Sequence, residues 1–101
     1  MIVYNITTKV SHTIHAAWLK WTQEEHIPAL IATGCFTEGK ILQLLEVDDS
    51  EGPTFAVQMM AESKALYNRY VEQYAAALKQ ESFAKWGDQF ISFRSVMKVV
   101  N

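Results

Sequence analysis

The stretch ILQLLEVDDSEGPTFAVQMMA, residues 41–61, decides the fold. Its centre, Asp48-Asp49-Ser50-Glu51-Gly52-Pro53, is polar, acidic and ends in Gly-Pro, the composition of a turn rather than of any regular element. On either side lie apolar runs rich in strand formers: Cys35 to Val47, with the core Ile41-Leu42-Gln43-Leu44-Leu45, and Thr54 to Ala61. Two such runs joined by one polar turn read as a β-hairpin.

Outward from the hairpin the pattern changes period on both sides. Downstream, Ser63 stands where a hydroxyl would cap a helix. Leu66, Tyr67, Tyr70, Val71, Tyr74, Ala77 and Leu78 then share one face, with Asn68, Arg69, Glu72, Gln73 and Lys79 on the other. Residues 81–86 extend it as a bent or separate turn, stopped by Gly87. Upstream, Ser11 is placed to cap a helix whose Ile14, Ala17, Trp18 and Trp21 form one stripe, while Lys20, Gln23 and Glu24 fall away from it. Pro28 lacks an N–H and disfavours helical angles at Ile27, so this helix is expected to end or kink near His26. Pro28 would open a second piece through Ala32, with Gly34 as its stop. The chain ends complete the set. Ile2 to Val10 alternates as a β-branched strand, and Gln89 to Val100 alternates Phe90, Ser92, Arg94 and Val96 with Ile91, Phe93, Ser95, Met97 and Val99.

The order β-α-β-β-α-β, with a tight link only between the middle strands, predicts one α+β domain over residues 1–101. Its architecture is ferredoxin-like: a four-stranded antiparallel sheet with both helices on one face. Helices cover one side only, so the other side of a monomer should be polar at every second residue. It is not: Phe93, Met97, Leu42, Leu44 and Met60 occupy the register opposite to Arg94, Ile41, Leu45 and Met59. Four strands of about eight residues make a face of roughly 500 Å². A chain of this kind is expected to pair with a copy of itself as a homodimer.

Composition excludes several classes of function. Nine Lys and Arg against eleven Asp and Glu give a net charge of −2, with the basic residues scattered, so nucleic acid is a poor partner. The start alternates apolar and polar residues rather than showing a secretory leader, and no apolar run approaches the roughly 20 residues that cross a bilayer. With one cysteine, Cys35, no internal disulfide can form. Together these imply a cytoplasmic chain without a membrane partner. There is no glycine-rich phosphate loop, no serine elbow and no metal-ligand spacing, so no cofactor or metal is expected.

The candidate site residues are polar groups in apolar patterns. Glu25 falls on the arc of Trp18 and Trp21, where a carboxylate would be tuned as a general acid or base, unless the helix is already unwinding there and Glu25 reaches water. His26 beside it is either a proton-transfer group or a solvated helix end. Tyr67, Tyr70 and Tyr74 bring hydroxyls to the inner face of the second helix. With Trp18, Trp21, Gln58 and Arg94 they either line a ligand cavity or satisfy one another in the core and interface. Arg94 either pairs a carboxylate such as Glu25, grips an anionic ligand, or lies at a rim.

The pattern Trp18-x-x-Trp21, Glu24-Glu25-His26-Ile27-Pro28, Thr33-Gly34-Cys35-Phe36, Leu45-Glu46-Val47 and Phe83-Ala84-Lys85 resembles the bacterial domain-of-unknown-function family 4286 over essentially the whole chain. More broadly, the topology is similar to the dimeric α+β barrel superfamily. That superfamily includes cofactor-independent monooxygenases of antibiotic biosynthesis, muconolactone isomerases, ethyl tert-butyl ether degradation proteins and stress-responsive barrel proteins. Several carry a histidine near the end of the first helix, as His26 would be here, but their other motifs are not recognisable, so a reaction carried across would rest on fold alone. The residues themselves point first to a homodimer whose cavity takes a small hydrophobic or aromatic anionic molecule. The alternatives are a non-catalytic assembly module and, by superfamily analogy, a cofactor-independent monooxygenase or isomerase.

Overall fold

The period-two alternation of residues 2–10 becomes the central strand β1 (Ile2–Val10), and the remaining elements fall around it. The computed structural model describes residues 1–101. In chain order they form α1 (His15–Trp21), a π-helical turn over Thr22–His26, α2 (Ile27–Ala32), β2 (Glu38–Gln43), β3 (Thr54–Ala61), α3 (Lys64–Gln73), α4 (Ala75–Trp86) and β4 (Phe90–Lys98). The sheet order is β2-β3-β1-β4, antiparallel throughout, with β1 paired to both β3 and β4. This is the ferredoxin-like arrangement expected from the element order, with two crossovers and a middle hairpin.

The hairpin turn is held by close backbone approach. Gly52 has φ +147°, and a Cβ there would stand 1.8 Å from the Val10 carbonyl oxygen, so only glycine lets the turn rest on the end of β1. Val10 N–H then donates to Pro53 O at 2.9 Å. Strand β2 is shorter than the apolar run that announces it. Cys35 and Phe36 are buried before the strand starts, and Leu45, 78% exposed, lies beyond its end, where no strand partner or helix covers it.

The helices correct two details. Ser11 does not cap α1: its hydroxyl bonds the Thr13 hydroxyl at 2.8 Å and accepts from Thr13 N–H, making a local turn, while Ile14 takes the N-cap position without a side-chain bond. Pro28 opens α2 through Ala32 as expected, but the helix before it widens into a π-helical turn instead of ending. Ile27 keeps helical angles, φ −60° and ψ −46°, and its N–H reaches back five residues to Thr22 O. The widened turn gives the Pro28 ring room that a regular α-helix, with its i−4 carbonyl, would deny. Ser63 caps α3 as expected, accepting from Leu66 N–H at 3.2 Å. The second helix bends at Tyr74, φ −128°, several residues earlier than its sequence suggests.

Alternation sorts the sheet into two faces. Tyr4, Ile6, Thr8 and Val10 of β1, with Phe55, Val57 and Met59 of β3, lie under the helices, and Leu30, Trp18, Trp21 and Tyr70 pack onto them. The opposite face carries Leu42, Ile91, Phe93 and Met97, all exposed. No helix is long and apolar enough to cross a membrane.

Candidate functional site

Between the covered face and the helices lies a cavity of about 320 Å³, near the lower end of the ~300–1,000 Å³ of small-molecule pockets. Its floor is β1 and β4, one side is α1 with the π-helical turn, and the other is α4. The bend at Tyr74 produces it: α4 starts in a new direction after Ala75 and spans the sheet without closing onto it. Phe83 of its inner side is left 64% exposed at the rim.

Aromatic rings make most of the interior. Trp18 stacks on Phe55 with centroids 5.4 Å apart, and Trp21 meets the edge of Trp86 at 5.8 Å. Tyr4 lies against Tyr70 at 5.5 Å and Tyr67 at 5.4 Å. His26 is stacked on Trp21, centroids 4.7 Å apart and planes 19° from parallel. Burial pushes its pKa down to about 4, so at neutral pH it is an uncharged imidazole with one donor and one acceptor nitrogen.

Polar groups enter this interior at three places. On the floor the Thr8 and Ser92 hydroxyls bond each other at 3.0 Å across β1 and β4. In the π-helical turn Thr22 is wholly buried, and its Oγ1 has no hydrogen-bond partner, a loss of about 1–3 kcal/mol for a hydroxyl withdrawn from water. At the mouth stand two cations, Arg94 and Lys79, both on exposed residues. The single ion pair of the molecule joins Lys9 and Glu51 elsewhere on the surface, so neither cation has a carboxylate partner. The pKa of Lys79 is lowered by burial and then by the Arg94 charge. Arg94 also touches the tyrosines: Tyr4 is raised chiefly by burial, with the bond and charge of Arg94 working against the rise. Tyr70 is raised further by burial and by Tyr4.

The structure brings together Trp18, Trp21, His26, Tyr70 and Arg94 of the residues singled out from sequence. Glu25 is exposed and takes no part in the wall: the wider turn swings it off the arc that a regular helix would give it, and it forms no ion pair with Arg94. Gln58 lies on the other face of the sheet, opposite Asn5 in the β1–β3 register, because it sits one residue out of phase with Val57 and Met59. Tyr67 borders a second, more open groove that shares Tyr4, Tyr70, Lys79, Phe83 and Arg94 with the cavity. Tyr74 is half-buried at the helix bend and lines neither. Thr22 and Lys79 were missed. A signal existed for Thr22, which falls about 40° from Trp18 on a helical wheel. None existed for Lys79, since it occupies the polar side of the sequence pattern and only the bend at Tyr74 brings it to the cavity.

A sheet in the order β2-β3-β1-β4, with helices on one face and a cavity between, defines a ferredoxin-like α+β protein. Solved structures agree in fold. A proposed antibiotic biosynthesis monooxygenase from Nitrosomonas europaea matches with a TM-score of 0.70 and 13% identity, covering 100% of both chains. A dimeric ferredoxin-like protein from an uncultured marine organism matches at 0.68 and 14% identity, over 100% of this chain and 96% of that one. An ethyl tert-butyl ether d (EthD) family protein from Bacillus halodurans matches at 0.64 and 11% identity, over 99% and 100%. No curated protein matches in sequence. The chain belongs to the family described as domain of unknown function DUF4286, whose model matches residues 1–100.

Proposed function

We propose that the chain binds a small amphipathic anion in the cavity between sheet and helices, an apolar or aromatic body carrying a carboxylate or similar charge. The observation that carries this is the pair of cations without a carboxylate partner, Arg94 and Lys79, at the mouth of an aromatic interior. A cation left unpaired beside another cation is an electrostatic cost in the empty protein, and an anion placed between them removes it. The cavity is of a size for a small aromatic acid. Isothermal calorimetry with cinnamate as probe tests the reading. Saturable binding of one molecule per chain, weakened about tenfold in Arg94→Gln and by added salt, is expected. Affinity unchanged in Arg94→Gln, or no saturable binding of cinnamate, would overturn it.

The second part of the proposal concerns the open face. Leu42, Ile91, Phe93 and Met97 make it apolar, while Lys9, Lys40 and Glu38 stand among them on the same register. A face of roughly 500 Å² with edge contributions approaches the ~800 Å² per partner of a stable two-fold contact. The occupant that matches such a face is the same face of a second copy, and the protein is a homodimer in this reading.

A role for His26 is a further step, favoured by one feature: it is part of the cavity wall and uncharged, so its acceptor nitrogen can take a hydrogen bond from a bound molecule, while its lowered basicity disfavours full proton uptake. Nuclear magnetic resonance titration of the His26 ring, with and without cinnamate, tests its contact with the ligand. A ring resonance that does not respond to the ligand would remove His26 from that role.

A further inference from the structure

The mouth of the cavity explains how a charge is held; the buried end asks for something else. Thr22 is fully inaccessible, belongs to the cavity wall, and has the one wholly buried wall hydroxyl without a partner. Threonines inside helices ordinarily satisfy the hydroxyl on a carbonyl three or four residues back. Here Thr22 N–H already holds Leu19 O and Trp18 O, and its hydroxyl makes no such bond. The same wall contributes His26, four residues on and uncharged. The floor hydroxyls Thr8 and Ser92, by contrast, satisfy each other.

The two polar ends are separate. Arg94 and Lys79 are exposed and border both the cavity and the open groove beside it, whereas Thr22 and His26 line the cavity alone. The same cavity is lined by Trp18, Trp21, Val57 and Leu78, none of which offers a hydrogen bond except an indole N–H.

We infer that the ligand of this cavity is bifunctional, with an anionic head at Arg94 and Lys79 and, across an apolar or aromatic body, a hydroxyl or carbonyl group that hydrogen-bonds Thr22 Oγ1 beside His26. The inference rests on the reading of the cavity as an anion site and narrows it to oxygenated apolar acids, such as hydroxyaryl or oxo carboxylates. A site with a buried unpaired hydroxyl discriminates against ligands that leave it unpaired, and this makes the deep end the specificity determinant.

The test compares cinnamate with para-coumarate, which adds one hydroxyl at the end remote from the carboxylate, in calorimetric titrations of the full chain. Wild-type protein is expected to prefer para-coumarate roughly fivefold to tenfold. Thr22→Val keeps the shape and removes the hydroxyl, and should reduce that preference to within about twofold. Thr22→Ser restores a hydroxyl and should restore the preference, which guards against a variant that merely packs badly. Cinnamate binding that depends on Arg94 but shows no preference for the hydroxylated acid would overturn this inference and leave the anion site standing. A preference that survives in Thr22→Val would overturn it as well. Failure of both acids to bind would sink the anion site and this inference together.

Discussion

The two faces of one sheet treat polar residues in opposite ways. On the open face they satisfy one another: Asn5 donates to Thr7 Oγ1 at 3.1 Å and to Ser95 Oγ at 3.4 Å, and Gln58 donates to Asn5 Oδ1 at 3.3 Å. These groups sit among exposed apolar side chains and ask for nothing from outside; what remains there is uncovered hydrocarbon. On the covered face the hydrocarbon is buried, and the unsatisfied groups are polar: the Thr22 hydroxyl, the Trp86 indole N–H and the two cations without a carboxylate partner. Missing apolar cover is what a protein surface supplies, and missing hydrogen bonds and counter-charges around a void are what a small molecule supplies. The contrast separates two candidate roles that the alternating strands mix along every few residues of sequence.

The contrast can be broken from the open side first. Phe93→Glu puts an unpaired charge into both halves of a two-fold contact, at roughly 3 kcal/mol or more on each side. Light scattering at micromolar concentration should move from twice the chain mass to near 11.5 kDa, with cinnamate binding retained. A wild-type protein already at the chain mass would show that the open face has no such partner.

From the covered side, Leu30, 1% exposed beneath α2, anchors the helical cover. Leu30→Ala is expected to lower unfolding free energy by about 2–5 kcal/mol in denaturant titrations. Phe93→Ala, on the open face, should change the stability of an isolated chain by no more than about 0.5 kcal/mol. Equal losses would mean that the two faces are not differently packed.

His26 gives the covered face a pH signature. Its folded pKa of about 4 lies below the ordinary value near 6.5, so between the two the unfolded chain binds more protons. The stabilisation is present above the unfolded pKa and is lost as pH falls through that window. About 2 kcal/mol should disappear between pH 7 and pH 5, and His26→Gln should lose that much less over the same range. Tyr4 and Tyr70 of the wall, both raised by burial, keep their protons throughout the window. A wild type and variant with parallel pH profiles would place the imidazole in solvent.

The smallest effect expected is at Glu25. It is exposed on the outer side of the π-helical turn, so Glu25→Gln should change stability by less than about 0.5 kcal/mol and cinnamate affinity by less than about twofold. A larger loss of binding would return Glu25 to the site.

The order of elements was legible because it rests on local chemistry. Residues 2–10 and 54–61 alternate with the period of a pleated strand, Ser63 caps the helix that follows it, and Gly34 stops α2 at φ +80°. Trp18, Trp21 and Tyr70 were legible as inward residues for the same reason, since a helical wheel needs only the spacing along one element. Gln58 and Glu25 were not, and for two different causes. Gln58 interrupts a strand whose two alternating sets, Phe55-Val57-Met59 and Ala56-Met60, are both apolar, so alternation alone does not say which set the helices cover. Glu25 lies in a turn whose wider pitch changes the angle between successive residues, and that pitch comes from accommodating Pro28 inside a continuous helix packed on the sheet.

The 101 residues by themselves determined a β-α-β-β-α-β chain with an apolar sheet, because period, caps and turns act between residues close in sequence. Only the tertiary structure decided where the void lies and what borders it. The bend at Tyr74 holds α4 off the sheet, carries Lys79 beside Arg94, and leaves Thr22 facing an interior with no protein partner. These are distances between residues up to some seventy positions apart, and no local pattern encodes them; they exist only once the helices have been packed against the strands.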